Sequence, residues 1–458
     1  MFSANTYQNR RKILCEQLNE GLILLPGNNP VPMNYPSNWL RFRQDSNFLY
    51  YCGLDYPHLN LVMDVKTGKS ILFGDDLTVD DIVWEGERTK ISDMAQSAGI
   101  DQFLPLEELQ SFLKAQKKQV HYLPCYRGDQ HLFVDGLLNG QSNGASKSLI
   151  QSVIQQRSIK TDEEIEEIES ALQITAECHK IAMQSTHPGM SEQAIVGQIE
   201  GHALAEGRRL AYPVIFSVRG EILHMNEYNN IMAEGQLALN DSGAESPLHY
   251  ASDITRTFPV SGQFTDKQKE IYNIVYDMQA AAFTFCAPGK SYKNAHLKAA
   301  TIAVNGLKRL GLMKGDYSAA VEAGAHALFF PHGLGHMLGL DVHDMEGLGE
   351  DLVGYDDADD RSDQFGLAYL RLAKNLKTGF VITVEPGIYF IPHLIDQWKD
   401  EGKHMEFINY DALDSYRDFG GVRIEDNVLI TEDGYRILGP HIPRTIEEIE
   451  AVMAGNNA

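Results

Sequence analysis

The sequence predicts a two-domain α/β protein, in which a mixed α/β domain comes first and a larger α+β domain follows. Its 458 residues are too many for one ordinary hydrophobic core. Short β-rich segments mix with helices up to about residue 155, and helical stretches alternate with strands beyond it. We therefore expect one domain over residues 1–157 and a second over residues 158–458.

In the first domain, three segments predict regular structure. The run GLILLPG at 21–27 predicts a strand that ends in a turn, and residues 60–74 predict a hairpin around a Thr-Gly-Lys turn. Residues 106–116, LEELQSFLKAQ, have the spacing of an amphipathic helix. Gly, Ser and Asn dominate residues 137–148, which predicts a connecting loop.

The second domain opens with a predicted helix. Thr161 and Glu164 have the spacing of a capping box, and the two acidic residues between them suit the positive end of a helix. An apolar face follows at helical spacing and consists of Ile165, Ile168, Leu172 and Ala176. Further on, strands are predicted by QLALNDSG at 236–243, GFVITVEPG at 379–387 and GGVRIEDNVLIT at 420–431.

Charge and composition argue against several classes of partner. The chain has 39 basic and 63 acidic residues and a net charge of −24, whereas nucleic acid and anionic membranes bind cationic surfaces. No segment resembles a signal-peptide core or reaches the length of a membrane span. The five cysteines are scattered and form no CxxC pair. We therefore expect a cytoplasmic protein that binds neither nucleic acid nor membrane.

Three histidines lie within PHGLGHMLGLDVHD, residues 331–344. His332 and His336 have the i, i+4 spacing of two zinc ligands on a helix, but the surrounding Pro and Gly residues disfavour a helix and no HExxH motif is present. Two interpretations stay open here. The histidines either hydrogen-bond within a glycine-rich turn, or they form one wall of a metal site whose other ligands come from elsewhere.

Four carboxylates stand at the ends of strands or within them. Glu385 ends the apolar run FVITVE, where burial of an unpaired glutamate costs several kcal/mol. By alternation, Glu425 shares one face of its strand with Arg423. Asp241 follows the strand QLALN, and Asp253 stands among β-branched residues.

Each carboxylate has a structural interpretation as well. Asp241 precedes Ser-Gly and suits a turn, while Asp253 with Arg256 and Glu425 with Arg423 suit local ion pairs. Together, however, several carboxylates with few histidines and no thiolate favour a hard divalent ion: manganese first, then cobalt, iron or zinc. Carboxylates can bridge two ions ~4 Å apart, and such a pair holds a hydroxide and polarises a carbonyl oxygen, which is hydrolysis chemistry.

Five motifs resemble those of one family, the aminopeptidase P and prolidase group of dinuclear metallopeptidases. In the family's order they are ILHMNEYN, DSGAESPLHYASDITRTFPVSGQFT, PHGLGHMLGLDVHD, VEPGIYF and GGVRIEDN. The N-terminal stretch FRQDSNFLYYCGL resembles the aminopeptidase P N-terminal domain. The resemblance extends over most of the chain. It implies a pita-bread fold for the C-terminal catalytic domain and peptide hydrolysis as its activity.

The resemblance implies a role for each matching residue. Two divalent metal ions, Mn²⁺ first among them, would be held by Asp241, Asp253, His336, Glu385 and Glu425. Asp253 and Glu425 would bridge the two ions. Glu385 would also act as general base and then general acid toward the bridging hydroxide.

Three further histidines and two arginines complete the expected site. His224, His332 and His343 would line it and hydrogen-bond the substrate or the developing oxyanion. Arg423 belongs to the motif GGVRIE near the site. Arg371, in YLRLAKNL, falls where prolidases place an arginine that grips the substrate carboxylate.

Two features depart from the family pattern. Asp241 and Asp253 stand one residue further apart, and we expect the extra residue in ESPLHY to lengthen a hairpin turn without moving the strand ends. An acidic insertion occupies residues 349–364, but Ser362 and Ala368 stand where an EF-hand needs glycine and glutamate. We interpret the insertion as a solvated surface loop, which either shapes the mouth of the site or is plain surface.

The expected function is cleavage of the bond between an N-terminal residue and a following proline, by a manganese-dependent Xaa-Pro aminopeptidase. A peptide bond to proline has no N–H and restricted geometry, so it needs a dedicated pocket. One alternative is an Xaa-Pro dipeptidase, or prolidase, which Arg371 and the segment at 391–407 favour. Another is a non-catalytic binding protein on the same fold, which the complete ligand set argues against. The resemblance also suggests a homodimer or homotetramer.

Overall fold

The computed structural model of the chain describes residues 1–138, 140, 144–356 and 361–455. These residues form two compact units, one of Met1–Arg157 with Glu346–Gly349, and a second of Ser158–Met345 with the chain from Glu350 onward. Parts of the loop predicted at 137–148 and of the acidic insertion at 349–364 lie outside the described residues.

The first unit contains a five-stranded mixed sheet. Its strands are β1 Leu22–Pro26, β2 Asn60–Asp64, β3 Ser70–Phe73, β4 Gln102–Leu104 and β5 Val120–His121. They lie in the order β4-β3-β2-β1-β5, with β2 antiparallel to β1 and β3, and with β4 and β5 parallel to their neighbours. The strand predicted at 21–27 and the hairpin predicted at 60–74 are confirmed.

Helices accompany this sheet. They are α1 Ala4–Glu16, α2 Ser46–Cys52, α3 Val79–Glu85, α4 Ile91–Ser97, α5 Leu109–Gln116, α6 Gly128–Leu137 and α7 Lys147–Ser158. The amphipathic helix predicted at 106–116 is confirmed as a short 3-10 turn followed by α5. Leu109 and Leu113 of α5 pack in one apolar cluster with sheet residues such as Leu22 and Phe73. This burial of the helix's apolar face fixes α5 on the sheet.

The first helix of the second unit begins where the capping signal predicts. The helices of this unit are α8 Asp162–Ser185, α9 Glu192–Ala205, α10 Asp266–Phe283, α11 Tyr292–Arg309, α12 Tyr317–Glu322, α13 Glu350–Gly354, α14 Pro392–Asp400, α15 Tyr410–Leu413 and α16 Ile446–Met453. Thr161 and Glu164 form the predicted capping box at the start of α8. Within the described residues, none of the helices has both the length and the apolar composition that a membrane span requires.

Three small antiparallel sheets complete this unit. Their strands are β6 Ile215–Ser217, β7 Leu237–Ser242, β8 Ile254–Pro259, β9 Val381–Val384, β10 Gly387–Tyr389, β11 Gly421–Arg423, β12 Asp426–Ile430 and β13 Tyr435–Ile437. The sheets have the orders β6-β7-β8, β13-β12-β9 and β10-β11.

The segment at 420–431, predicted as one strand, is two strands. It pairs with β10 through β11 and with β9 through β12. Between them, the Glu425 amide leaves the ladder and donates to the Thr255 carbonyl of β8 at 3.0 Å. The break therefore brings Glu425 to the start of β8, beside the end of β9.

Candidate metal centre

Strands β7 and β8 place two aspartates side by side. Asp241 lies in β7 opposite Thr255 of β8, and Asp253 immediately precedes β8. The Tyr212 hydroxyl lies 2.6 Å from Asp241 Oδ1 and 2.5 Å from Asp253 Oδ1, so one donor is within reach of both carboxylates. The interpretation of Asp241 as a turn former is wrong, because the residue is paired within a strand.

Successive side chains of β8 point alternately toward the acidic cluster and away from it. Arg256 faces away from the aspartates, and its Nη2 pairs with Asp426 Oδ1 at 2.7 Å. The local ion pair suggested for Asp253 and Arg256 is therefore wrong. Thr255, on the opposite face, donates from its hydroxyl to Glu425 Oε2 at 2.7 Å. Successive residues of a strand point to opposite faces, which explains both results.

Glu425 is a buried carboxylate with one oxygen unused. Its side chain accepts from Thr255 through Oε2, while the buried Oε1 has no hydrogen-bond partner among the described residues. Burial, followed by the charges of Asp253, Glu385 and Asp241, raises the pKa of Glu425 well above its ordinary value. The suggested local pair with Arg423 is wrong, since Arg423 Nη2 donates to Asp241 Oδ2 at 2.5 Å.

The glycine-rich turn presses His336 against strand β9. A Cβ on Gly335 would lie 2.2 Å from the Thr383 carbonyl oxygen, so only glycine allows this approach. The His336 amide then donates to Thr383 Oγ1 at 3.0 Å. His336 Nδ1 donates to the Met337 carbonyl at 3.0 Å, which leaves Nε2 free to face the acids. The histidine therefore hydrogen-bonds within its own turn and also faces the cluster of acids.

His336 and its acidic neighbours have the donors of a cation site. Nε2 lies 3.4 Å from Asp253 Oδ2 and 3.5 Å from Glu385 Oε1. Burial opposes a proton on this ring, but the hydrogen bond with Asp253 and the charge of Glu385 raise the pKa of His336 to about 9. One donor atom each from Asp253, His336 and Glu425 lie within 4.8 Å of one another.

These observations fit a divalent metal ion. The donor set is rich in carboxylate oxygens with one imidazole, which suits a hard or borderline cation. The unused Glu425 Oε1 needs a partner, because a buried polar atom without one is costly. Burial also raises the pKa of Asp241, although Arg423 opposes this shift, so the crowded acids call for further positive charge.

The cluster lines one wall of a cavity of about 790 Å³. All the predicted site residues lie on its surface: Asp241, Asp253, His336, Glu385, Glu425, His224, His332, His343, Arg371 and Arg423. A cavity of this volume accepts a small peptide. The structure thus brings all ten together.

The three accessory histidines differ in their surroundings. His332 Nδ1 donates to the Gly333 carbonyl at 2.7 Å, and its Nε2 lies 2.8 Å from the Tyr389 hydroxyl. Burial, then the charge of Arg423, lowers the pKa of His332 to about 3, so the ring is neutral. The same two causes lower the pKa of His224. The His343 ring packs edge-on against His336, with ring centroids 4.3 Å apart.

Three site residues escaped the sequence analysis. Tyr212 contacts both aspartates, Thr255 supports Glu425, and the Tyr389 hydroxyl accepts from Arg423 Nη1 at 3.0 Å. Tyr389 lies within the quoted motif VEPGIYF, and alternation places Thr255 on the same face as Asp253. Tyr212 stands in RRLAYPVIF, where no local pattern distinguishes it.

A buried cluster of carboxylates and one histidine in a peptide-sized cavity is typical of a metal-dependent hydrolase. Comparison with family models refines this class: residues 166–432 match metallopeptidase family M24, and residues 7–123 match the aminopeptidase P N-terminal domain. Since the first match covers more than half of the chain, the protein belongs to metallopeptidase family M24.

Individual relatives agree with this assignment. The chain is 33% identical to the human Xaa-Pro dipeptidase over 97% of its own length and 92% of the relative's. It is 34% identical to a probable Xaa-Pro aminopeptidase of Fusarium vanettenii, over 90% and 88% of the two chains. A histidine-to-alanine variant of Escherichia coli aminopeptidase P superposes with a TM-score of 0.83 at 31% identity, covering 99% of both chains. The predicted family, the pita-bread fold and the metallopeptidase class are confirmed.

Proposed function

We propose that this enzyme is an Xaa-Pro aminopeptidase, which removes an N-terminal residue that precedes proline. The observation that carries the proposal is the convergence of four carboxylates and His336 on one cavity, with Glu425 Oε1 unpaired. The relatives named Xaa-Pro aminopeptidase and the similarity to aminopeptidase P support the proline specificity.

We assign two divalent ions to this centre, with Mn²⁺ as the first choice. The residues that would hold these ions are Asp241, Asp253, His336, Glu385 and Glu425. When bound, such ions lower the pKa of water and polarise a carbonyl oxygen. The oxygen-rich donor set supports Mn²⁺ over Zn²⁺, since carboxylates suit the harder ion.

The side chains around the ions would bind the substrate and move the proton. Glu385 lies directly after β9 with its carboxylate in the cavity, where it would take the proton of the attacking water and return it to the leaving proline nitrogen. The neutral His332, together with His224 and His343, would hydrogen-bond the peptide. Arg423 would hold Asp241 in place through the 2.5 Å contact.

An Xaa-Pro dipeptidase is the second candidate. Arg371 lines the same cavity, and a guanidinium suits the free carboxylate of a dipeptide. The similarity to the human Xaa-Pro dipeptidase supports this candidate as well.

We further propose residues 1–157 as an aminopeptidase P-like domain and residues 158–458 as the catalytic domain. We also propose a cytoplasmic location, which the scattered cysteines support. The oligomer that we propose is a homodimer or homotetramer. Light scattering of the purified protein tests the oligomeric state.

A paired hydrolysis assay tests the function. Metal-stripped protein is reloaded with Mn²⁺ and given Gly-Pro and Gly-Pro-Ala, each with and without chelator. Chelator-sensitive cleavage of the Gly–Pro bond in the tripeptide supports the aminopeptidase. Cleavage of the dipeptide alone supports the dipeptidase instead. Cleavage of neither substrate returns the non-catalytic binding protein to consideration and contradicts both candidates.

Glu385→Ala tests the role of the proposed general base. We expect loss of turnover with an unchanged circular dichroism spectrum, because the variant removes the proton acceptor and leaves the strand intact. Glu166→Ala, an exposed site on α8, serves as the matched control and should keep full activity. Substantial residual turnover in Glu385→Ala would falsify the assignment.

A further inference from the structure

Arg371 on the cavity wall already has a carboxylate partner. Its Nη1 donates to Glu350 Oε2 at 3.3 Å, and each of the two side chains is 33% exposed. Glu350 is the first residue of α13 and belongs to the acidic insertion that the sequence left without a role. A substrate carboxylate that approaches Arg371 therefore meets a guanidinium that is partly neutralised.

The position of Glu350 is fixed by backbone contacts between α13 and the segment that carries Arg371. A Cβ on Gly354 would lie 1.9 Å from the Arg371 carbonyl oxygen, so glycine permits direct backbone contact. The Gly354 carbonyl accepts from the amides of Ala373 at 2.8 Å and Lys374 at 3.0 Å. The Tyr355 hydroxyl donates to the Leu370 carbonyl at 2.8 Å. These contacts hold α13 against the segment that carries Arg371.

A second arginine holds Glu350 from the other side. Arg361 Nη2 pairs with Glu350 Oε1, and its Nε donates to Asp351 Oδ1 at 2.7 Å. Arg361 Nη1 also donates to the Ala368 carbonyl at 2.9 Å, which ties it to the same chain segment. Glu350 consequently lies between two guanidinium groups, one of which faces the cavity. The arrangement orients its Oε2 toward Arg371.

We propose that Glu350 is a specificity-determining residue that acts through Arg371, an inference that rests on the proposed function. By supplying a built-in counterion, it competes with the free C-terminal carboxylate of an Xaa-Pro dipeptide. Peptides that continue beyond proline, or whose carboxylate is amidated, place no charge there and avoid this competition. Glu350 thereby biases one shared catalytic centre away from dipeptides and toward longer peptides.

Glu350→Gln, which keeps the shape of the side chain and removes its charge, tests this inference. The Mn²⁺-loaded variant is assayed with Gly-Pro, its amide Gly-Pro-NH₂ and Gly-Pro-Ala, with KM and kcat determined separately. We expect KM for Gly-Pro to fall by about two- to fivefold, the size of effect usual for a partly exposed ion pair. KM for Gly-Pro-NH₂ and kcat for all three substrates should stay within error of the wild type.

Two further variants complete the experiment. Asp351→Asn removes the same charge one residue along α13, from a side chain that is 73% exposed and pairs with Arg361. This variant should leave KM for Gly-Pro, relative to KM for Gly-Pro-NH₂, unchanged. Adding Arg371→Met to Glu350→Gln should abolish the decrease in KM for Gly-Pro. An equal change in KM for the free and the amidated dipeptide overturns the inference while the proposed function stands. If the wild type cleaves none of the three substrates, the proposed function fails and this inference fails with it.

Discussion

A buried ion pair anchors the histidine turn, and its loss has a calculable cost. Lys160 Nζ lies 2.9 Å from Asp344 Oδ2, and each side chain is 1% exposed. Asp344 is the last residue of the turn that carries His336 and His343, and the Lys160 amide donates to the Gly379 carbonyl just before β9. At this separation the attraction amounts to about 6 kcal/mol for an effective dielectric constant of about 20. The cost of desolvating two ions offsets much of that attraction.

We therefore expect a clear difference between removing one charge and removing both. Lys160→Met leaves Asp344 charged and buried, so the free energy of unfolding should fall by about 3–5 kcal/mol. Asp344→Asn should cost a similar amount, because it leaves the lysine without its counterion. The double variant Lys160→Met/Asp344→Asn leaves no buried charge and should lose less than either single variant.

Equilibrium urea unfolding, followed by tryptophan fluorescence, measures these values; Trp39 and Trp84 are already 48% and 86% exposed, so Trp398 dominates the change in emission. Trp398 is 2% exposed in the same unit, so its emission reports on the unfolding of that unit. Lys269→Met is the surface control within the same unit: its partner Glu450 is 3.6 Å away, the side chains are 40% and 26% exposed, and the change should cost less than about 1 kcal/mol. A cost below about 1 kcal/mol for Lys160→Met, or a double variant as unstable as the sum of the singles, refutes the reasoning.

Three other changes have outcomes that follow from the contacts. Tyr212→Phe removes the donor shared by two aspartates and should lower the unfolding free energy of chelator-treated protein by about 1.5–3 kcal/mol, measured in urea. Glu425→Gln relieves crowded negative charge, so thermal melting should show a raised Tm without metal but a smaller gain than wild type on adding Mn²⁺; equal gains contradict the ligand role. Burial lowers the pKa of His326 to about 4 in the folded protein, so between pH 6.5 and 4 the unfolded chain binds more protons, and stability decreases as the pH is lowered through this range. When the pH is lowered from about 6.5 to about 5, the free energy of unfolding of His326→Phe should therefore decrease by about 2 kcal/mol less than that of the wild type. Urea titrations at both pH values measure the difference.

Local signals in the sequence predicted the elements of the fold well. The capping box of Thr161 and Glu164 and the hairpin at 60–74 depend on residues close to one another along the chain. The break at Glu425 was missed, because the ladder is interrupted by a bond from Glu425 to Thr255, far away in the sequence. A β-rich run alone does not reveal where a strand changes partners.

The site was predictable where motifs carried it and unpredictable where distant residues met. The ten site residues came from motif resemblance, and they line one cavity. Arg256 was assigned the wrong partner, since proximity in sequence favoured Asp253 while the strand alternation turned the side chain toward Asp426. Tyr212 lies 29 and 41 residues from the aspartates it contacts, so only the tertiary structure identifies it.

The place of Glu425 in the sequence, at the break between β11 and β12, determines when the proposed metal centre can be completed during synthesis. Glu425, with its unpaired oxygen, is translated long after Asp241 and Asp253. A nascent chain therefore has only part of the proposed ligand set until the last strands emerge and fold. In the proposed centre, metal loading would then be completed late, and chains truncated before Glu425 would lack one of the five proposed ligands.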